Sequence, residues 1–459
     1  MNPFYNPIFL SQLLKSYLFD INRLHRFSDH QLQRFQDKKF KKMVEFAYSV
    51  PLYYEKYKKA GVHPKDISGL RDIEKLPFVT KYDIKKYYPN GIISNQAKKN
   101  QLVEVSTSGT TGKSLTIFVD MFDVVMGLFG YLRTIREYDL NWRKSRLTII
   151  GDFASHTAES GYIKKGLQPR MSSRFVFKNI QWIDTNADPQ ENLEKINTFN
   201  PDFIGGYVGM LGHMALLKEQ GLGDNVNPSV IAATGSVLDP SLRAYIKKTF
   251  QSQLYEVYGA TETGPIAFEC KKGNYHVMSD LLHLEFIDEN THMPTDSIGS
   301  LVVTKLFGQG TPIIRYDAMN DIVEPSSKTC SCGFAGSLIT KIYGRKDLSL
   351  RLPGGRVLMP TAFAHIYSKL LYQLKSTRLK DTKIIQPDLH TLEIQIVLAD
   401  SKNDDASDDD IITLISKGFQ ETAGSDVKIV VKQVSKLGDH EARIVSEVPK
   451  KSHSITQYI

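Results

Sequence analysis

The stretch Ser106-Thr107-Ser108-Gly109-Thr110-Thr111-Gly112-Lys113-Ser114 constrains this chain more than any other, because its composition suits a cradle for a polyanion better than a plain turn. Glycines let backbone amides approach phosphate oxygens, hydroxyls donate to those oxygens, and the lysine adds a compact positive charge. Thr107 to Ser114 departs from the pattern G-x-x-x-x-G-K-[ST] only at its first position, where Thr107 replaces glycine. In that pattern the loop opens a helix whose N-terminus faces the phosphates. Here Leu115-Thr116-Ile117-Phe118-Val119 follows at once and Val103-Glu104-Val105-Ser106 precedes, so strand, loop, strand is expected, with a mobile loop covering the phosphates. A phosphotransferase built on the helical version of the loop is disfavoured on that ground.

Around this segment the chain divides by pattern. Its 459 residues exceed what one core organises. Residues 1 to about 100 carry helical spacing, with apolar faces such as Phe40, Met43, Val44, Phe46 and Ala47. Short apolar runs at 103–106, 115–119, 146–151 and 202–206 then alternate with helical stretches at 121–137, 190–198 and 209–220, which indicates α/β architecture. Between Glu285 and Asp321 the runs HLEFID, GSLVVTKL and PIIRYD are strand-like. Beyond Tyr343-Gly344-Arg345-Lys346-Asp347 come a strand at 392–399, a helix at 410–424 capped by Asp409 or Asp410, and a strand at 427–434. The expected fold is α/β: a large N-terminal α/β domain, residues 1–343, with packed sheets and a β-rich subdomain, and a small mobile C-terminal α+β domain, residues 344–459, hinged near Asp347.

A formal charge of +8 admits polyanionic partners, including nucleotide phosphates, CoA and anionic membrane faces, without choosing among them. Lysine pairs at 38–39, 41–42, 58–59, 85–86 and 98–99 are scattered, so most of the charge is solvated surface and no nucleic-acid partner is expected. No apolar run approaches the roughly 18 residues that span a bilayer, and the first residues lack a charged leader and a cleavage site. A cytoplasmic location without stable membrane insertion is expected. Phe9, Leu10, Leu13, Leu14, Tyr17 and Leu18 form an amphipathic stretch that would lie on a membrane or, the favoured reading, pack on its own domain. Three cysteines exclude a disulfide framework.

Four segments in order, STSGTTGKS at 106–114, YEVYGATETG at 255–264, PIIRYDAMND at 312–321 and YGRKDLSLRLPGGRVLMP at 343–360, resemble the acyl-adenylate-forming superfamily of acyl-CoA synthetases and peptide-synthetase adenylation domains. The likeness is greatest to the phenylacetate-CoA ligase family, including its branch associated with capsular polysaccharide genes, and covers nearly the whole chain. It implies that ATP and a small carboxylic acid give an acyl-adenylate and pyrophosphate, with CoA as the expected acceptor. An amine, a carrier protein or a sugar amine is an alternative acceptor, and a degenerate nucleotide-binding homologue without turnover is a second class. A homodimer is left open.

The resemblance also implies residue roles. Thr107, Ser108, Gly109, Thr110, Thr111, Gly112 and Lys113, with Ser106 beside them, would hold the β- and γ-phosphates. Ser236, in Thr234-Gly235-Ser236-Val237, would lie on the adenine side. Within Tyr258-Gly259-Ala260-Thr261-Glu262, Tyr258 would pack on adenine, Thr261 would meet the α-phosphate and Glu262 would hold Mg²⁺. Asp321 would bind the ribose hydroxyls, with Asp317 a weaker candidate, and Arg345 would sit beside ribose and phosphate. Tyr131, Phe153, Tyr207 and Gly235 are the candidate acyl pocket.

Cys270, His276, Cys330 and Cys332 form Cys-x5-His and Cys-x-Cys-Gly. By residue type they are either a closed tetrahedral zinc site or unrelated buried thiols, and the resemblance favours a structural zinc, with His283 in reserve. One departure stands out. The superfamily's C-terminal lysine, which contacts acid and α-phosphate, falls here at or beside His440 in Gly438-Asp439-His440-Glu441, with Lys436, Lys450 and Lys451 nearby. Histidine is shorter and largely neutral at pH 7. Either another lysine moves in, the enzyme is slow, or the first step takes a different form.

Overall fold

In the computed structural model the described residues are 3–107, 114–154, 157–170, 177–400, 404–438, 441–449 and 457–458. The N-terminal hundred residues are helical, as their spacing predicts, and their starts carry sequence-encoded caps. Ser28 caps the helix Asp29–Ala47 with Gln31 reciprocating, and Thr80 caps the helix Lys81–Tyr87 with Asp83 reciprocating. Then come the strands β1 (Val103–Ser106), β2 (Thr116–Val119), β3 (Leu147–Gly151), β4 (Ile180–Asp184), β5 (Phe203–Tyr207), β6 (Val230–Thr234), β7 (Gln253–Ala260), β8 (Gly264–Glu269), β9 (Tyr275–Val277), β10 (Leu282–Ile287), β11 (Gly299–Lys305), β12 (Asp321–Ser326) and β13 (Leu338–Arg345). β1 and β2 form an antiparallel hairpin, and β3 to β13 join in one sheet, ordered β10-β11-β12-β13-β9-β8-β7-β6-β5-β3-β4.

The half from β4 to β7 is parallel, joined by helices, and β7 is the switch point where pairing becomes antiparallel. Both faces of the parallel half are covered, and the side-chain period of two sorts residues between them. On β6, Val230 and Ala232 face the core shared with the N-terminal helices. Ile231 and Ala233 face the core shared with the helices Pro189–Phe199, Val208–Glu219 and Pro240–Phe250. A buried ion cluster clamps the N-terminus to this body. Asp280, fully buried, accepts both Arg133 nitrogens at 2.9 and 2.8 Å and Arg23 at 2.9 Å.

Past β13 the chain builds a separate core. β14 (Leu350–Arg351) and β15 (Arg356–Leu358) pair as a hairpin, while β16 (Leu379–Asp388), β17 (Thr391–Leu398), β18 (Lys428–Gln433) and β19 (Ile444–Ser446) form a sheet ordered β18-β17-β16-β19. The helices Pro360–Tyr372 and Asp408–Ala423 cover it, burying Phe363, Ile366, Leu370, Ile411, Ile415 and Phe419. Leu371 points the other way, into the core on the outer face of the parallel sheet, and a Cβ at Gly212 would lie 2.8 Å from its Cδ1.

Three expectations need correction. PIIRYD at 312–317 is not a strand: it makes isolated bridges through Tyr316 to Val79 and Val303. Arg315 adopts a left-handed φ of 46°. That turn sends its guanidinium inward to grip Glu285 at 2.7 to 3.2 Å and the carbonyl of Leu76 at 2.7 Å. β16 is a strand absent from the sequence pattern, because Lys380, Asp381, Lys383 and Pro387 interrupt its apolar residues. In the first helix Phe9, Leu13 and Tyr17 pack inward, but Leu10, Leu14 and Leu18 are exposed. No helix among the described residues is long and apolar enough to cross a membrane.

Candidate functional site

In an open sheet with parallel strands, ligands gather outside the strands' carboxyl ends at the switch point. Of the sequence-predicted residues, Tyr258, Glu262, Asp321 and Arg345 lie near one another there. The Tyr258 hydroxyl, on β7, donates to the Asp321 carboxylate at the first residue of β12. Asp321 pairs directly across the ladder with Arg345 at the end of β13. The Arg345 guanidinium grips Asp347 at 3.1 and 3.0 Å. Burial pushes Asp321 up to about 6, against the hydrogen bond from Tyr258 and the charge of Arg345. Asp317 is exposed, so the geometry singles out Asp321 from the pair.

Glu262 lies in the turn between β7 and β8 and is 8% exposed. Its Oε1 accepts from the Tyr316 hydroxyl at 3.3 Å. Burial raises its pKa, while the Tyr316 hydrogen bond and the charges of Lys81 and Arg345 act the other way. Such a carboxylate offers hard oxygen ligands and keeps spare acceptor capacity, which fits a Mg²⁺ shared with substrate phosphates. Gly259 and Ala260 close β7 opposite Pro265 and Gly264. The carbonyl of Thr261 accepts from the Tyr162 hydroxyl at 3.0 Å.

The hairpin has the predicted strand pairing, with Ser106 opposite Thr116 and their hydroxyls 2.9 Å apart. The Thr107 amide donates to the Leu115 carbonyl, and the Leu115 amide to the Thr107 hydroxyl, both at 2.9 Å. Ser108, Gly109, Thr110, Thr111, Gly112 and Lys113 lie outside the described residues, as do His440, Lys450 and Lys451. Two braces tie the hairpin base to the cleft. Val105 packs against Gly161, next to the Tyr162 that reaches Thr261. Phe118 exchanges hydrogen bonds of 3.0 and 2.7 Å with Thr311, in the segment that leads to Tyr316 and Glu262.

Ser236 sits in the exposed loop after β6. Gly235 before it has φ of 83°, and a Cβ there would stand 2.1 Å from the ring of Tyr207, so only glycine fits. At the ends of β3 and β5 lie Gly151, Phe153 and Tyr207, with Glu159 accepting from the Tyr207 hydroxyl. The Tyr131 hydroxyl would meet a Cβ at Gly259 at 3.4 Å. All four candidate acyl-pocket residues therefore border one region.

Sequence reasoning missed Lys81, Tyr162, Tyr316 and Glu159. Lys81 is half-buried, its pKa lowered first by burial, and it feels Glu262, Arg345 and Asp347. One signal was available: a lysine in a first helical turn opposes the helix dipole, a local misfit that points to another purpose. Tyr162 carried no spacing signal, and Tyr316, although inside PIIRYDAMND, reaches Glu262 only through a tertiary contact.

Away from the cleft, the ligand atoms of Cys270, His276, Cys330 and Cys332 all lie within 4.8 Å of one another. Cys270 and Cys330 sulfurs are 3.8 Å apart, and Cys332 Sγ is 3.1 Å from His276 Nε2. Tetrahedral zinc with ~2.3 Å bonds separates its sulfurs by roughly 3.8 Å, so the donor set and spacing fit that ion. Burial lowers His276 to about 4, which keeps its imidazole neutral as a ligand must be. Burial also lifts Cys270 and Cys332 above the usual thiol range. For Cys330 burial is outweighed by hydrogen bonds from Cys332, Cys270 and Asn274, which lower it. His283 is on β10 opposite Thr304, outside the cluster.

No family model matches the chain. It is 26% identical over 363 residues to a phenylacetate-coenzyme A ligase of Aromatoleum evansii, covering 76% of this chain and 78% of that protein. It is 23% identical over 453 residues to the protein CapK of Staphylococcus aureus, covering 94% and 91%. Among solved structures, a 2-hydroxyisobutyryl-CoA ligase in the postadenylation state superposes with a TM-score of 0.70 at 16% identity, covering 93% of this chain and 91% of that one. The two share a fold.

Proposed function

We propose that the chain is a member of the phenylacetate-CoA ligase family of the acyl-adenylate-forming superfamily, supported by its likeness to curated members along most of its length, and from that premise that it is an ATP-dependent acid–CoA ligase. A carboxylic acid attacks the α-phosphorus of ATP to give acyl-adenylate and pyrophosphate, and CoA thiol then takes the acyl group. The observation that carries this reading is the convergence of Glu262, the Tyr258–Asp321–Arg345 group and the hairpin base on one cleft.

The first step brings two anions together and expels a third, so the cleft must offset concentrated negative charge. In our reading the hairpin Ser106 to Lys113 binds the β- and γ-phosphates, Thr261 meets the α-phosphate, and Ser236 and Tyr258 border adenine. Asp321 accepts the ribose hydroxyls and Arg345 lies beside them. Glu262 would hold Mg²⁺, which when bound supplies charge neutralisation at the phosphates. Lys81 adds a cation within the cleft, which matters in a chain with His440 where a lysine is usual. The unit after β13 would turn about a hinge near Asp347 to admit CoA after adenylation. The Cys270, His276, Cys330 and Cys332 set would hold a structural zinc.

Acid-dependent exchange of labelled pyrophosphate into ATP, over aryl and short acyl acids, tests the proposal. Exchange with at least one acid is expected, followed by CoA consumption. ATP binding without exchange for any acid would mark a degenerate homologue instead.

The ribose assignment predicts a pH dependence. Asp321 must be ionised to accept two hydroxyls, and its folded pKa is raised to about 6. Adenosine, which has no phosphate to titrate, should therefore bind more tightly as pH rises from 5 to 7.5, and Asp321→Asn should flatten that rise. The same raised pKa means that ionising Asp321 costs free-protein stability as pH climbs from about 4 towards 6. A pH-independent adenosine affinity in the native chain would remove Asp321 from the ribose.

A further inference from the structure

We propose that the acyl pocket is built for a carboxylic acid that carries an ammonium group, and that the Glu159 carboxylate receives it. This rests on the adenylation reading above and names its substrate class.

Glu159 immediately precedes the helix Ser160–Leu167 and is half-buried. Its Oε1 accepts the Tyr207 hydroxyl. Its Cγ and the edge of the Phe153 ring stand 3.1 and 3.2 Å from where a Gly151 side chain would begin, so the glycine makes room for both. Among the described residues, no lysine or arginine pairs with it. Lys164, five residues on, spends its ammonium on the Phe153 carbonyl at 2.9 Å. Asp152, the other charged group nearby, adds negative charge, its carboxylate accepting the Ala154 amide and the Asn186 side chain. Burial is the largest influence on Glu159 and lifts it above the usual carboxylate range.

The pocket wall thus presents a partly desolvated carboxylate with no lysine or arginine paired to it among the described residues, framed by Tyr207, Phe153 and Tyr131. Desolvating a carboxylate is costly unless a cation or several donors compensate; the Tyr207 hydroxyl and the backbone amides of Glu159 and Asp152 donate to it, yet burial still outweighs them. An ammonium adds charge and a further donor at once, and the Tyr207 and Tyr131 rings favour a cation beside their faces, as Phe153 already has in Lys164, 5.3 Å from its ring centre. A neutral acid would cover Glu159 without compensating it. The carboxylate also lies within reach of the reacting end. Tyr207 packs on Gly235, Tyr131 approaches Gly259, and Tyr162, three residues after Glu159, holds the Thr261 carbonyl. A substrate with its acid at Thr261 and its ammonium at Glu159 would lay its spacer along the rings.

Pyrophosphate exchange with the full chain decides this, using matched trios on an aryl and on a short aliphatic spacer: an aminomethyl acid, its hydroxymethyl counterpart and its methyl parent. The aminomethyl acid of one trio should lead its two counterparts by at least ~10-fold in kcat/KM. Glu159→Gln should shrink that lead to near unity while the thermal midpoint holds. If Glu159→Gln does not fold, the native ratios and a Tyr207→Phe variant, which should also shrink the lead, carry the test. A methyl or hydroxymethyl acid matching the amine, or a lead unchanged by Glu159→Gln, overturns the inference and leaves adenylation standing. Exchange with no acid of any kind overturns both.

Discussion

Glu262→Gln is expected to lower acid-dependent pyrophosphate exchange by about 100- to 1,000-fold, the usual scale for removing one preorganised electrostatic group from a reaction centre. The loss should come without destabilisation. Glu262 is 8% exposed, and burial outweighs its own backbone amide, the 3.3 Å hydrogen bond from Tyr316 and the charges of Lys81 and Arg345, so in the free protein its charge is incompletely compensated. An isosteric neutral amide removes that burden, and the thermal midpoint should stay level or rise. A structural role predicts the reverse, with a lowered midpoint and activity falling in proportion to the folded fraction. Exchange within tenfold of the native chain would end the Mg²⁺ assignment.

Metal analysis of protein purified without chelator should find about one zinc per chain, and Cys330→Ser should lose it and lower the thermal midpoint by roughly 5–10 °C. The size follows from what the cluster ties together. Cys270 follows β8, His276 is on β9, and Cys330 and Cys332 lie in the connection from β12 to β13. Phe334, two residues beyond Cys332, packs 3.9 Å from the His25 ring and against Phe268, while the Ala335 amide donates to the Leu24 carbonyl. Freeing this connection therefore loosens the seating of the N-terminal residues as well as a sheet edge. Metal loss with an unchanged midpoint, or a native protein with almost no zinc, would refute a structural ion.

Much of the fold was legible because its elements are locally consistent. The helix Met121–Glu137 coincides with its periodic segment, and Asp120 caps it with Asp123 reciprocating. β6 lacks an alternating pattern because its short VIAAT run is apolar and buried on both faces, so periodicity does not mark it as a strand. What the sequence hid lies in long-range relations. Glu159 reads as one more surface carboxylate until β5 brings Tyr207 against it. Lys81 stands 181 positions before Glu262, and no spacing rule links them. PIIRYD has the composition of a strand, yet a buried ion pair between Arg315 and Glu285 overrides propensity and bends it. The Cys270, His276, Cys330 and Cys332 set was legible as a list of candidate ligands, but its closeness depends on the pairing of β9 with β13.

Leu371 would act as a detent on the proposed hinge near Asp347. It is the C-terminal unit's own side chain, yet it completes the core on the outer face of the parallel sheet above Gly212, with Lys375 bonded to Glu219 beside it. Turning the unit about Asp347 would lift that side chain into water, at a cost of about 1.5–3 kcal/mol. A bias of that size holds a two-position switch on one side by about 10- to 150-fold. In the proposed hinge motion Leu371 would leave its seat over Gly212, and the Tyr372 contact with Tyr245 and the Lys375 bond to Glu219 would part with it, before a second substrate could enter.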